Sequence, residues 1–192
     1  MYTFKNAATP KEFGEIHRLN HEIFVDEVGQ HEPTDTGLLI DQFHQKNTYF
    51  IAKRGDSLVG MVAVHDQPPF SVESKMADPS VLAALGSKLL EVRLLAIHRD
   101  ERNTRVFAGL LYAVLKHARV GGYSDLIISG VQQNLRMYER LGFRPIGSAV
   151  IRGKAQFTPM AVRISDIPED TVKRFRRWAT GSKAARLAAI NS

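Results

Sequence analysis

The stretch from Leu89 to Gly130 constrains the fold more than any other part of the chain. LLEVRLLAI at 89–97 is dense in Leu and β-branched residues, as a buried strand requires. NTRVFAGLLYAVLKHARVGGY follows, with apolar residues at 106, 107, 110, 111, 114 and 115, the spacing of an amphipathic helix, and Gly121-Gly122 stops it. SDLIISG at 124–130 is a second short buried strand. Strand, helix and strand in this order predict a parallel pair joined by a crossover. In such pairs ligands bind at the C-terminal ends of the strands.

The flanking segments complete one sheet. A helix is predicted from Pro10 to Val25, because Ile16, Leu19, Ile23 and Phe24 recur at helical spacing after the start signal Thr9-Pro10. His31 to Gly37 reads as a loop, and TYFIAKR (48–54) with SLVGMVAVHD (57–66) as a hairpin turning at Gly55-Asp56. DQPPFSVESKMADPS is an irregular excursion. Gln132 to Leu141 predicts a helix ended by Gly142, and FRPIGSAVI and AQFTPMAVRI a final strand pair joined through Gly153. With 192 residues, 44% of them apolar, the expectation is one α/β (α+β) domain over 1–165, a mixed central sheet flanked by helices, then a basic helix or tail over 166–192.

Composition removes several function classes. The chain has no cysteine, so a Cys nucleophile, thiolate metal site or disulfide is out. The seven histidines form no tight ligand pattern and no metal site is expected; His17 and His21, four apart, suit a solvated helix face. A membrane-spanning run and the basic, apolar start of a secretory signal are both lacking, so a cytoplasmic protein is expected. The net charge of +6 is concentrated at the end, where Lys173, Arg174, Arg176, Arg177, Lys183 and Arg186 face only Glu169 and Asp170. No recognition helix accompanies that charge, and nucleic acid is not the expected partner.

The segment MYERLGFRPIG, with its helix-ending tyrosine, Leu-Gly-Phe turn and following strand, resembles the GNAT superfamily of N-acyltransferases. The likeness extends over about residues 48–164 and implies a GNAT-type sheet. It also implies that Tyr138 protonates a departing thiolate and that a backbone amide near Leu95, Ala96 and Ile97 meets the oxyanion. Members using acetyl-CoA carry a glycine-rich turn before the long helix, whose amides cradle a pyrophosphate. Here Arg105 and Phe107 occupy the glycine positions. The segment Arg102, Thr104, Arg105, Val106 and Phe107 suits the single phosphate of a 4'-phosphopantetheine arm, the form presented by acyl carrier protein, which is acidic as the basic chain requires. A solvated helix start is the other reading of the two arginines.

HRLNHEIFVDEVGQHEP followed by LLIDQFHQKNTYFIA is similar to the start of acyl-homoserine-lactone synthases and of long-chain N-acyl amino acid synthases, with Phe24, Asp41, Phe43, Thr48 and Tyr49 matching. The lactone synthases place an arginine where Asn20 stands and carry Glu-x-x-Arg where this chain has Glu91-Val92-Arg93. Both departures favour the N-acyl amino acid synthases. That resemblance implies transfer of a long fatty acyl group from acyl carrier protein to an amino acid, commonly tyrosine, with no permanently bound cofactor. A lactone-type signal synthase, a CoA-dependent acetyltransferase and a basic nucleic-acid-binding protein are the alternatives.

Glu91, an acid inside an apolar strand, is the candidate base, its pKa raised by burial; the competing reading is an ion pair with Arg93 two residues on. Tyr138 is the candidate acid or a core aromatic. Phe24, Asp41, Phe43 and Arg93 are the candidate acceptor-binding set. LLEVRLLAI and VFAGLLYAVL suit an acyl tunnel or an ordinary core. The tail either docks the carrier protein, makes peripheral contact with anionic lipid, or packs as a terminal helix.

Overall fold

A computed structural model describes residues 1–102, 105–152 and 155–180. Eight strands form one sheet: β1 (Tyr2–Asn6), β2 (Thr48–Arg54), β3 (Ser57–His65), β4 (Leu89–Ile97), β5 (Asp125–Val131), β6 (Arg144–Pro145), β7 (Val150–Arg152) and β8 (Ala155–Arg163). Their order is β1-β2-β3-β4-β5-β8-β6, with β7 also on β8. β4 and β5 pair in parallel, as the crossover predicts, and every other pair is antiparallel. The β2–β3 hairpin turns at Gly55-Asp56, where Gly55 has φ 61, a conformation that glycine adopts without a side-chain clash.

Helices cover both faces. α1 (Pro10–Asn20) begins with a capping box in which Thr9 Oγ1 accepts from the Glu12 amide while the Glu12 carboxylate accepts from Ala8 N and Thr9 N. The helix does not stop at Asn20; His21–Glu27 continues it as a wider π-helical turn, so the expected span to Val25 is met in a different geometry. α2 (Arg105–Val120) is the crossover helix, and it ends as expected: Tyr123 N donates to Ala118 O and Gly122 N to Arg119 O, with Gly122 at φ 67. α3 (Leu135–Arg140) follows β5, and α4 (Glu169–Thr180) closes the described chain.

Two sequence expectations need correction. The first strand, β1, was not expected: five residues alternating only at Tyr2 and Phe4 give a weak local signal, and pairing with β2 is what orders them. The strand expected over 143–151 is two short pieces. Pro145 pairs with Met160 and Val150 with Phe157, so five steps on one strand face three on the other, and the surplus around Gly147 loops out.

The core divides at the sheet. On one face Val106, Leu110 and Val114 of α2, none more than 1% exposed, pack with Val62, Leu90, Leu126 and Met160, and Val172 and Phe175 of α4 join them. Each such side chain contributes about 1.5–3 kcal/mol through removal from water. On the other face α1 covers Tyr49, Ile51 and Met61, while the 66–88 excursion, built of short 3-10 turns at Ser71–Lys75 and Pro79–Ala84, covers Ile127 and Ala161.

Candidate active site

β4 and β5 run together only at their first residues. Leu89, Leu90 and Glu91 pair with Asp125, Leu126 and Ile127, and the pairing ends there. The strands then diverge into a wedge, along which β4 from Val92 onward has no strand on its β5 side. Its amides and carbonyls on that edge are open to a ligand of amide character.

On its other edge β4 is kinked. Met61 of β3 faces Ala96 while Ala63 faces Arg93, so Leu94 and Leu95 together oppose the single residue Val62. Leu94 has φ 51, the one positive φ outside glycine among the described residues. Holding a leucine there costs about 1–3 kcal/mol. The bulge turns backbone groups at 94–95 out of the ladder beside the wedge, next to the Leu95–Ile97 stretch expected to meet an oxyanion. Ala96 and Ile97 are themselves buried, and the Ile97 carbonyl already accepts from Arg102 Nε.

Glu91, Arg93, His65 and Ser129 project to the face between α1 and the excursion. Glu91 is 1% exposed. One oxygen accepts from Ser71 Oγ at 2.7 Å and Val72 N at 2.8 Å; the other accepts from Ser71 N at 2.8 Å and lies 2.8 Å from His65 Nε2. Four contacts occupy the lone-pair sites of a carboxylate. Burial pushes this carboxyl up, but the donors from His65 and Ser71, with Arg93 nearby, more than offset it and hold the pKa below the ordinary value. The expected rise is therefore corrected, and a carboxylate already saturated with donors is poorly placed to take a proton.

The competing reading, an ion pair of Glu91 with Arg93, is not met either. Arg93 Nη1 donates instead to Asp41 Oδ2 at 2.5 Å, and its guanidinium lies over the Phe43 ring at 4.5 Å from the centroid. Asp41 Oδ2 further accepts from Phe43 N at 3.1 Å and Asn47 Nδ2 at 2.7 Å. Asn47 Nδ2 reaches Tyr49 OH at 2.9 Å, and His44 Nδ1 lies 3.1 Å from the same oxygen. Burial pushes the Tyr49 phenol up to about 12, so it stays protonated. Phe43 stacks on His65 with centroids 5.2 Å apart, which ties this cluster to Glu91. Of the four acceptor candidates, Asp41, Phe43 and Arg93 thus assemble, whereas Phe24 packs apart with Leu94 in the apolar patch under α1.

The opposite face of the wedge is apolar. Val92, Leu111, Val114, Leu126, Thr171 and Phe175 line a cavity of about 40 Å³. Strand β4 and helix α2 supply much of its wall, and α4 adds Thr171 and Phe175. Tyr138 packs near this side against Phe143, with Gly130 of β5 beneath it: a Cβ on Gly130 would come within 3.1 Å of the Tyr138 ring. Burial raises the Tyr138 pKa, with a bond to Asn134 opposing, so the phenol holds its proton.

At the start of α2 the expectations fare unevenly. Arg102 forms a two-pronged pair with Glu27, the second prong at 2.6 Å, and its Nε donates to Ile97 O at 3.2 Å. The hydrogen bond to Glu27 raises the Arg102 pKa and lowers that of Glu27. This arginine is committed to the π-helical turn and is not a free phosphate ligand. Arg105 is exposed at the first residue of α2, Val106 is fully buried in the core, and Phe107 meets Phe175 edge-on at 6.4 Å. Thr104 lies outside the described residues. His17 packs on His44 at 4.8 Å, its pKa lowered by burial and by His44, while His21 pairs with Asp26. No group of three or more His, Asp or Glu side chains could hold a metal among the described residues, and no helix there is long and apolar enough to cross a membrane.

Sequence reasoning missed His65, Ser71, Asn47, Lys75 and the bulge at Leu94. His65 had a readable signal, since it ends the hairpin strand beside the strand carrying Glu91. The Ser71 amide cannot be read from a side-chain pattern at all.

Residues 15–163 match the family model described as N-acyl amino acid synthase FeeM. No curated protein sequence matches the chain significantly. Among solved structures it is similar to BjaI, a CoA-dependent acyl-homoserine lactone synthase, at TM-score 0.75 and 19% identity, with 94% of this chain and 90% of that one covered. It is similar to FeeM, an N-acyl amino acid synthase from uncultured soil microbes, at TM-score 0.71 and 19% identity, covering 97% and 98%. A third similar structure is a putative N-acetyltransferase from Lactobacillus plantarum, at TM-score 0.64 and 16% identity, covering 85% and 98%. At these identities the structures establish the GNAT-like fold.

Proposed function

The chain belongs to the N-acyl amino acid synthase FeeM family and is an acyltransferase, and we propose that it moves a long-chain fatty acyl group from acyl carrier protein to the amino group of an amino acid, tyrosine favoured. The observation that carries this reading is the two-sided wedge, with an apolar cavity on one side of β4 and a cluster of charged, hydrogen-bonded side chains on the other. The apolar walls of the first match a fatty chain in character, and the charged groups of the second match an amino acid. The donor needs a cation at its phosphate, and exposed Arg105 at the start of α2 is the side chain that remains for it.

In this reading the acyl-phosphopantetheine arm lies along the open edge of β4 with its chain directed to the apolar side. The neutral amine attacks the thioester carbon from the polar side, and a backbone amide at the Leu94–Leu95 bulge meets the oxyanion. As the C–S bond breaks, Tyr138 gives its proton to the thiolate and is reprotonated from solvent; the proton lost by the amine leaves through the polar face. Glu91 acts as a positioning residue, fixing His65 and the 70–72 turn that frame the acceptor pocket. The basic outer face of α4, with Lys173, Arg174, Arg176 and Arg177 exposed, suits an acidic carrier protein, and exposed Trp178 suits a lipid surface as a second partner. Lys183 and Arg186 lie outside the described residues.

The test is incubation with acyl carrier protein bearing C8 to C16 chains and a mixture of amino acids, with products read by mass spectrometry. N-acyl amino acids are expected. Their absence, with transfer from acyl-CoA to other amines, would replace this reading with a CoA-dependent one.

A further inference from the structure

Lys75 ends the 3-10 turn whose first residues bind Glu91. It is half-buried, with Nζ 4.7 Å from the centroid of the Phe157 ring, and among the described residues no carboxylate lies within ion-pair reach of it. Phe157 pairs with Val131 of β5, two residues past Ser129, so Lys75 lies over the same face as Ser129 and Glu91. Glu91 and Asp41 already serve other donors. Burial holds the Lys75 pKa below its ordinary value, the mark of an ammonium lacking water and a close counter-ion.

Among the unpartnered polar groups on this face are two donors beside the wedge. Arg93 Nε and Ser129 Oγ are buried without a hydrogen-bond partner among the described residues. Ser129 stands on β5 two residues past Ile127, and Arg93 on β4 two past Glu91, its parallel partner; the pair therefore faces across the opening wedge on the Glu91 side. A half-buried cation and two idle donors need an anion with several acceptor oxygens. The donor's phosphate is not that anion: Arg93 stands four residues before the end of β4 at Ile97, about 13 Å at 3.3 Å per residue, and α2 begins further on.

We infer that Lys75, with Ser129 and Arg93 Nε, binds the α-carboxylate of the acceptor. This rests on the reading of the chain as an N-acyl amino acid synthase. A carboxylate held there leaves the α-amine, one carbon away, free to turn toward the bulge on β4. It also explains why an amino acid would be chosen over a simple amine: without the carboxylate, Lys75 stays half-buried with no close counter-ion.

The experiment compares tyrosine with tyramine, which lacks the carboxyl group, at saturating acyl carrier protein, for wild type, Lys75→Met, Lys75→Arg and Ser129→Ala. Wild type should prefer tyrosine. Lys75→Met should raise the KM for tyrosine about tenfold or more, leaving tyramine turnover and the donor KM unchanged, and Lys75→Arg should restore part of the loss. Ser129→Ala, which removes one oxygen, should raise the tyrosine KM a few-fold and keeps the assignment testable if Lys75→Met does not fold. A folded Lys75→Met with wild-type KM for tyrosine, or a rise in donor KM alone, overturns the assignment while N-acyl tyrosine still forms. Acylation of amines but of no amino acid by wild type overturns the synthase reading and the Lys75 assignment with it.

Discussion

The two faces of the sheet at the β4–β5 divergence are built on opposite terms. Toward α2 and α4, Val92, Leu111, Val114 and Phe175 leave a gap without a charged group in its walls. Toward α1 and the excursion, Glu91, Arg93 and Asp41 are held in named hydrogen bonds, and buried donors still go unpaired. One face loses contacts where it is empty; the other loses hydrogen bonds. Alternation along β4 puts both within one residue of each other, Val92 on one side and Arg93 on the other, so a thioester lying along that strand meets both environments at once.

Substitutions that break one face should leave the other intact. The largest effect is expected for Glu91→Ala, which strands His65 and the Ser71 and Val72 donors; a loss of about 3–5 kcal/mol is expected in urea denaturation. The same residue gives a pH signature. Its folded pKa is depressed, so its contribution is complete above the unfolded carboxyl value of about 4.3 and fades as the pH falls through the folded value. Stability should therefore drop on acidification in wild type, with a shallower drop in Glu91→Gln.

Phe175→Ala comes next, at about 3 kcal/mol from a cavity under α4. It should also move the product distribution toward longer acyl chains without changing the choice of amino acid. Asp41→Asn, which weakens the hold on a mostly buried Arg93, should cost about 2 kcal/mol and raise the amino acid KM, with acyl length unchanged. Leu94→Val places a β-branched side chain at a positive φ and should cost about 1–2 kcal/mol, with kcat falling more than either KM if the bulge amide meets the oxyanion. Smallest is Arg102→Gln: its pair with Glu27 is 38% exposed on each side, and about 0.2–1 kcal/mol is expected, screened by salt.

The apolar face was far more legible in the sequence than the polar one. Periodicity alone places Val106, Leu110 and Val114 in one stripe and LLEVRLLAI beside it, because packing repeats along the chain. The polar face is assembled from single contacts between distant segments: Arg93 to Asp41, Glu91 to the Ser71 turn, Lys75 over Phe157. None repeats, so none has a period to read. Glu91 stood out as an acid in an apolar strand, but its ordinary consequence, a raised pKa, reversed because backbone amides of an irregular loop reach it. The bulge at Leu94 was hidden for a similar reason, since leucine gives no local hint of a left-handed conformation.

The division between the faces is tested most directly by a crossed product analysis. Wild type, Phe175→Ala and Asp41→Asn are each given the same mixture of C8 to C16 acyl carrier proteins and amino acids, and the N-acyl products are resolved by mass spectrometry. This division predicts that Phe175→Ala changes only the acyl-length axis and Asp41→Asn only the amino acid axis. Phe175→Ala altering the amino acid, or Asp41→Asn altering chain length, in folded protein would contradict it.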